Sequence, residues 1–157
     1  MAKAFPNSQF YGFDNHEPSI LRARKIAENE KLTNVTFQTA ASDNFPGDGY
    51  DLIAYFDCLH DMGNPANATK HAASVLAKAG TVMMVEPMAG KTIDGNFNPV
   101  GRIYSGASVL ICTPNAVASG DINNALGTVA TDDKLAEVFR SGGFTKFRRA
   151  TETPFCA

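Results

Sequence analysis

Several polar positions fall just after apolar runs, and one of them gathers most of the reactive side chains of this sequence. Between Tyr50 and Pro65 the apolar run Leu52–Phe56 breaks into Asp57, Cys58, Leu59, His60 and Asp61, and Gly63 and Pro65 mark a stop. His60 is chemically the most useful of these, because an imidazole titrates near pH 6.5 and accepts a proton at neutral pH. Asp57 or Asp61 can fix its tautomer or stabilise its charged form. A lone loop histidine is more often structural than catalytic, so both roles stay open. Cys58 reads as an inert buried thiol, since only His60 stands beside it as a base. Asp14, Asp43 and Glu86 occupy the other strand ends. An acid at such a position accepts hydrogen bonds from ribose hydroxyls, although Asp14 serves equally well as a helix cap. Asp43 either accepts from an exocyclic amine of a base or makes a local turn, with the turn favoured for this residue alone. Glu86, before Pro87, either faces the same crevice or bonds backbone.

Such positions do chemistry only if strands deliver them to one edge. Gln9–Phe13 reads as a short aromatic strand, followed by a helix capped by Asn15 that carries Glu17 and Pro18 in its first turn and runs to about Glu30. Val35–Thr39 alternates as a strand, Phe45–Gly49 is turn chemistry, and residues 50–56 form the central strand. A helix over 66–78 stopped by Gly80 precedes the strand Thr81–Val85. Residues 88–98 read as a loop and Pro99–Ile111 as a helix ended by Thr113 and Pro114. Thr131 caps a further helix through Leu135, Val138 and Phe139, which Gly142 and Gly143 terminate. Phe144–Thr153 alternates loosely as a last strand, and residues 1–7 look like the end of a helix. Continuous apolar strands alternating with capped helices predict an α/β, Rossmann-like, mostly parallel sheet with helices on both faces.

At 157 residues, with 44% hydrophobic and 19% charged side chains, the chain reads as one soluble domain over 1–157. A net charge of −2 points to neither nucleic acid nor an anionic membrane. Cys58, Cys112 and Cys156 are odd in number without CxxC spacing, so neither a disulfide framework nor a metal site is indicated. The residues from Met1 to Pro6 lack the apolar core of a signal peptide, and a cytoplasmic protein with reduced thiols is expected.

Phe13-Asp14, Ala41-Ser42-Asp43 and Asp51-Leu52-Ile53 leading to Asp57-Cys58-Leu59-His60-Asp61-Met62 resemble class I S-adenosylmethionine-dependent methyltransferases. The segments Val85–Gly90, Asn98–Arg102 and Ile111–Pro114 narrow the resemblance to a bacterial group whose proteins carry an N-terminal winged-helix-like domain. It implies S-adenosyl-L-methionine as cofactor, with Asp14 on its ribose and Asp43, Asn44 and Phe45 framing the adenine. Asn15, Ser42, Phe56 and Asp57 complete the implied cofactor contacts. It further implies that His60 is the general base of an O-methyltransferase with Asp61 beside it, and that a small hydroxyl-bearing molecule is the acceptor. The insert 87–130 would wall the acceptor pocket, with Glu86, Asn98 and Tyr104 as substrate contacts. The family places a strand and a Gly-rich loop before the helix that here begins at Met1, and one more strand after Phe155-Cys156-Ala157. The chain is therefore expected to be a truncated domain that self-associates through exposed edges. A catalytically silent remnant acting as a binding or oligomerisation module is the alternative, and a nicotinamide oxidoreductase leaves the His60 segment unexplained.

Overall fold

In the computed structural model, which describes residues 1–157, the chain divides after Pro46 into two units. The first is a strand–helix–strand unit in which β1 (Phe10–Asp14) and β2 (Val35–Thr39) pair in parallel, from Phe10 opposite Val35 to Asp14 opposite Thr39. Parallel pairing requires a crossover, and α1 (Glu17–Asn29) supplies it by burying Ile20 and Ala27 from its apolar stripe. The helix begins one residue later than the sequence suggests. His16 occupies the cap position, and its amide donates to Asp14 Oδ1 at 2.7 Å. The expected helix over residues 1–7 is a single turn, with the amides of Ala4 and Phe5 both on Met1 O. Pro6, which has no N–H to donate, ends it. Asn34 holds that turn, its Nδ2 donating to the carbonyls of Ala2, Phe5 and Ser8 at 3.0 to 3.2 Å.

The second unit is built on another parallel pair, β3 (Tyr50–Phe56) and β4 (Leu76–Val85), in register from Leu52 opposite Thr81 to Phe56 opposite Val85. Their crossover, α2 (Pro65–Val75), is capped by Asn64, whose side chain accepts from Asn67 N at 3.1 Å, and has Pro65 in its first turn. β4 starts at Leu76, so Gly80 is no helix stop. It lies in the irregular stretch between the Tyr50–Leu76 and Leu52–Thr81 pairs, where a Cβ would sit 2.7 Å from Tyr50 O. A glycine here lets two backbones approach, which sequence punctuation alone does not distinguish from a cap.

Beyond β4 the chain is helical. α3 (Pro99–Ala107) passes into a π-helical turn, Ser108–Cys112, and then into α4 (Thr113–Ser119). Thr113 and Pro114 therefore do not end the helix. The widened turn places Pro114 in the first turn of a new segment, where its missing N–H costs little. α5 (Asp132–Ser141), capped by Thr131, packs on α2, where the fully buried Thr69 donates through Oγ1 to Val138 O at 3.2 Å. The predicted last strand is absent. Phe144 and Phe147 turn back onto Phe139 at ring separations of 5.4 and 5.9 Å, and Arg149 binds both oxygens of Asp132. Further on, Ala157 N and Glu86 N each donate to the other residue's carbonyl at 3.0 Å, and Pro87 and Cys156 form an antiparallel bridge. No helix is long and apolar enough to cross a membrane.

Candidate functional site

Parallel strands in register end at the same level, so β3 and β4 deliver Asp57 and Glu86 side by side. Asp57 N continues the ladder, donating to Val85 O at 2.8 Å, and then turns the chain with φ +52. This left-handed conformation costs a non-glycine residue roughly 1–2 kcal/mol. It feeds the short 3-10 turn Leu59–Asp61, which carries His60 inward. Glu86 receives that turn. Its Oε1 accepts from Leu59 N at 2.8 Å and Cys58 N at 3.3 Å, and its Oε2 pairs with His60 Nδ1. Glu86 and His60 are each only 3% exposed.

Burial by itself would lower the His60 pKa. The hydrogen bond and charge of Glu86, aided by Asp61 and Asp57, outweigh it and hold the imidazole above its ordinary 6.5. With Nδ1 bonded to a carboxylate, the neutral ring carries its lone pair on Nε2. That nitrogen lies 3.6 Å from Asp61 Oδ1, a buried oxygen with no hydrogen-bond partner. Asp57 is 3.9 Å from Nδ1 and its side chain is 69% exposed. The Cys112 thiol, in the π-helical turn, completes the surround. Burial, and then a hydrogen bond to the Asp61 carboxylate and its charge, push it up to about 11. Two backbone contacts fix the turn from other elements. Asn115 Nδ2 donates to Asp61 O at 3.2 Å, and Gly127 N donates to His60 O at 3.2 Å. Gly127 has φ +67, and a Cβ there would meet Ser108 Oγ, so only glycine suits the position.

The structure thus brings His60, Asp61, Asp57 and Glu86 together. Glu86, expected on the substrate, has both oxygens engaged with His60 and the backbone of its turn. Phe56 is 54% exposed at the end of β3. Asn98 caps α3, accepting from Gly101 N at 2.9 Å and donating to Gly95 O at 3.1 Å, and Tyr104 donates to Phe155 O at 2.9 Å. In the first unit Asp14 is exposed at the end of β1, with Oδ1 accepting from the His16 amide. Asn15 is exposed, and Ser42, Asp43 and Asn44 form a turn closed by Asn44 N on Ala41 O at 3.1 Å. Phe45 is buried and stacked on Phe13 at 5.1 Å, so it offers a wall. Cys112, Asn115 and Gly127 join the site from outside its sequence neighbourhood. Each comes from an element distant in sequence and has no local signal.

Residues 1–143 match the family model described as a methyltransferase domain. No curated protein matches the chain. Among solved structures, PigF with SAH superposes with a TM-score of 0.70 at 19% identity, covering 99% of this chain and 44% of that one. The YcgJ protein from Bacillus subtilis gives 0.64 at 20% identity, with 90% of this chain and 55% of that one covered. The cyclase SpnF gives 0.62 at 16% identity, with 90% and 44% covered. The chain spans about half the length of these structures. At such identities the likeness speaks for the fold.

Proposed function

The chain belongs to the methyltransferase domain family, and from that premise we propose that it serves S-adenosylmethionine-dependent methyl transfer to the hydroxyl of a small molecule, with His60 as the general base. When bound, the cofactor supplies a methyl group activated on a sulfonium, whose departure needs no acid. The chain's own residues have to hold the reactants and take a proton. Asp14 suits a ribose, with an exposed carboxylate beside the start of α1, and the polar turn at Ser42–Asn44 over the Phe45 wall suits a base edge. In the second unit the acceptor is assigned to the 87–130 segment, with Tyr104 as a contact.

The observation that carries the reading is the His60–Glu86 pair. Glu86 accepts a hydrogen bond from Nδ1–H, which keeps that proton on the ring, leaves Nε2 as the accepting atom and raises its basicity. Asp61 connects that buried atom to the surface, because its Oδ1 is buried near Nε2 while its side chain is 37% exposed. The hydroxyl proton passes along Asp61 to Nε2, and the oxygen left behind becomes the nucleophile.

A second reading has an observation of its own. With both partners 3% exposed, the pair can serve purely to pin the turn at 58–61 to the end of β4 in a catalytically silent binding module. Single-turnover transfer of a labelled methyl group to a panel of phenols and alcohols separates the two readings, with melting temperature measured alongside. His60→Gln should lower the rate by about 10²–10⁴-fold with cofactor affinity nearly intact. A folded His60→Gln protein that methylates at the parent rate removes the base assignment. Transfer to no acceptor at all leaves the silent module.

A further inference from the structure

His60 Nε2, Asp61 Oδ1 and Cys112 Sγ converge on one point of the second unit, and the geometry points to a binding site there for a single thiophilic divalent cation of the zinc class. One ligand atom from each of His60, Asp61 and Cys112 lies within 4.8 Å of the other two, and His60 Nε2 and Asp61 Oδ1 are 3.6 Å apart. Metal–ligand bonds of about 2.0–2.3 Å in a tetrahedron put neighbouring donors about 3.3–3.8 Å apart. The Nε2–Oδ1 separation falls in that range, and the Cys112 sulfur, within 4.8 Å of its neighbours, closes the site by a shift of at most about 1 Å, with a fourth position left for water. The donor set, an imidazole, a thiolate and a carboxylate, selects zinc over magnesium or calcium. Its charges also sum to neutrality with a dication, which suits a buried position.

Independent observations point the same way. Asp61 Oδ1 is buried and receives no nitrogen or oxygen donor, and the Cys112 thiol hydrogen-bonds to the same carboxylate, so a cation that displaces the thiol proton would satisfy both groups. His60 donates its other ring nitrogen to Glu86, the arrangement in which a carboxylate orients a metal-binding histidine. Cys112 lies in a π-helical turn, a feature frequent at functional sites. The alternative trio of Asp57, His60 and Glu86 is less suited, because its histidine atom is already bonded to Glu86 and Asp57 is largely exposed.

On binding, the Cys112 thiol gives its proton to solvent and the thiolate sulfur bonds the ion. No oxidation or reduction is involved. The inference goes beyond the methyl-transfer reading and constrains it, since an ion on Nε2 occupies the lone pair that would take the proton. Such an ion would inhibit the base.

Titration of the full chain with Co²⁺ tests the site without any methylation assay. One equivalent should give a thiolate-to-cobalt absorption together with the visible bands of a tetrahedral ion, and Zn²⁺ should bleach both. Cys112→Ser should abolish the thiolate absorption, whereas Cys58→Ser and Cys156→Ser should retain it. Glu86→Gln should weaken Zn²⁺ affinity by about 10–100-fold. Asp61→Asn, at a partly exposed side chain, should weaken it at least as much and covers the case in which Cys112→Ser fails to fold. No thiolate band in the folded parent overturns the proposal. So does a band that survives in Cys112→Ser, or Zn²⁺ affinity unchanged in Asp61→Asn.

Discussion

Glu86 divides its carboxylate between two tasks: one oxygen receives the amides of Cys58 and Leu59, and the other holds His60. Removing it strands two donors and an imidazole in a place that is 3% exposed. Breaking a buried pair from one side typically costs about 3–5 kcal/mol. Glu86→Ala should therefore lose stability on that scale in urea denaturation, while Glu86→Gln, which still accepts the amides, should lose less. A Glu86→Ala protein within 1 kcal/mol or so of the parent would refute a structural role for the pair. Asp14 calls for a different measurement, because its side chain is exposed and packs against little. Asp14→Asn should leave melting unchanged and weaken S-adenosylmethionine binding by roughly 1–3 kcal/mol in calorimetry. Equal affinity in the two proteins would remove Asp14 from the cofactor site. From the sequence, His60 is readable as a proton acceptor in a turn, but its partner is sought among the adjacent acids Asp57 and Asp61. The residue bonded to Nδ1 comes instead from the neighbouring strand. A parallel ladder makes such neighbours out of positions that no local spacing connects. Cys112 is hidden for the same reason, since the absence of CxxC spacing says nothing about a thiol brought in by a distant helix.

At the scale of elements, the alternation of apolar runs with capped helices is enough to locate β1, β2, β3, α1, α2 and α5, because those segments obey their own periodicity. The misreadings lie where tertiary contacts outweigh local signals. Gly80 looks like a helix stop and serves a strand irregularity, Pro114 looks like a helix end and follows a π-helical turn, and Phe144–Thr153 alternates without joining a ladder. The joint between β3 and α2 depends on Tyr55, whose buried hydroxyl donates to Ala68 O at 3.1 Å. Burial, and secondarily the nearby Cys58, pushes its phenol up to about 12. Above pH 10 the unfolded chain releases this proton while the folded chain still holds it. The native state then binds more protons, so stability falls as pH rises from about 10 to 12. At 1.36 kcal/mol per unit the loss approaches about 3 kcal/mol. Tyr55→Phe should be less stable than the parent at neutral pH by about 1 kcal/mol. It should then overtake the parent, relatively, at alkaline pH. Parallel stability curves for the two proteins across that range would exclude a buried, proton-holding Tyr55.

For the molecule as a whole, the question is what becomes of surface that the fold does not cover. Each sheet has two strands, so every strand has a ladder partner on one side only. Open edges of this kind recruit further strands. Within the second unit, the helical stretch after β4 also leaves Ile103, Val109, Leu110 and Ile111 between 64% and 79% exposed. A net charge of −2 gives little repulsion between copies. These features predict concentration-dependent self-association, measurable by sedimentation velocity across a wide dilution series. Burying one leucine is worth about 1.5–3 kcal/mol, which corresponds to roughly ten- to hundredfold in a dissociation constant. Leu110→Lys should therefore weaken the assembly by about that factor if the helical face is the contact, while leaving the melting temperature of dilute protein unchanged. If association persists unweakened in Leu110→Lys, the strand edges carry it, and charged residues placed on the outer side of β3 should then disperse it. A parent chain that sediments as a monomer at every concentration would show that neither the edges nor the apolar face attracts a second copy.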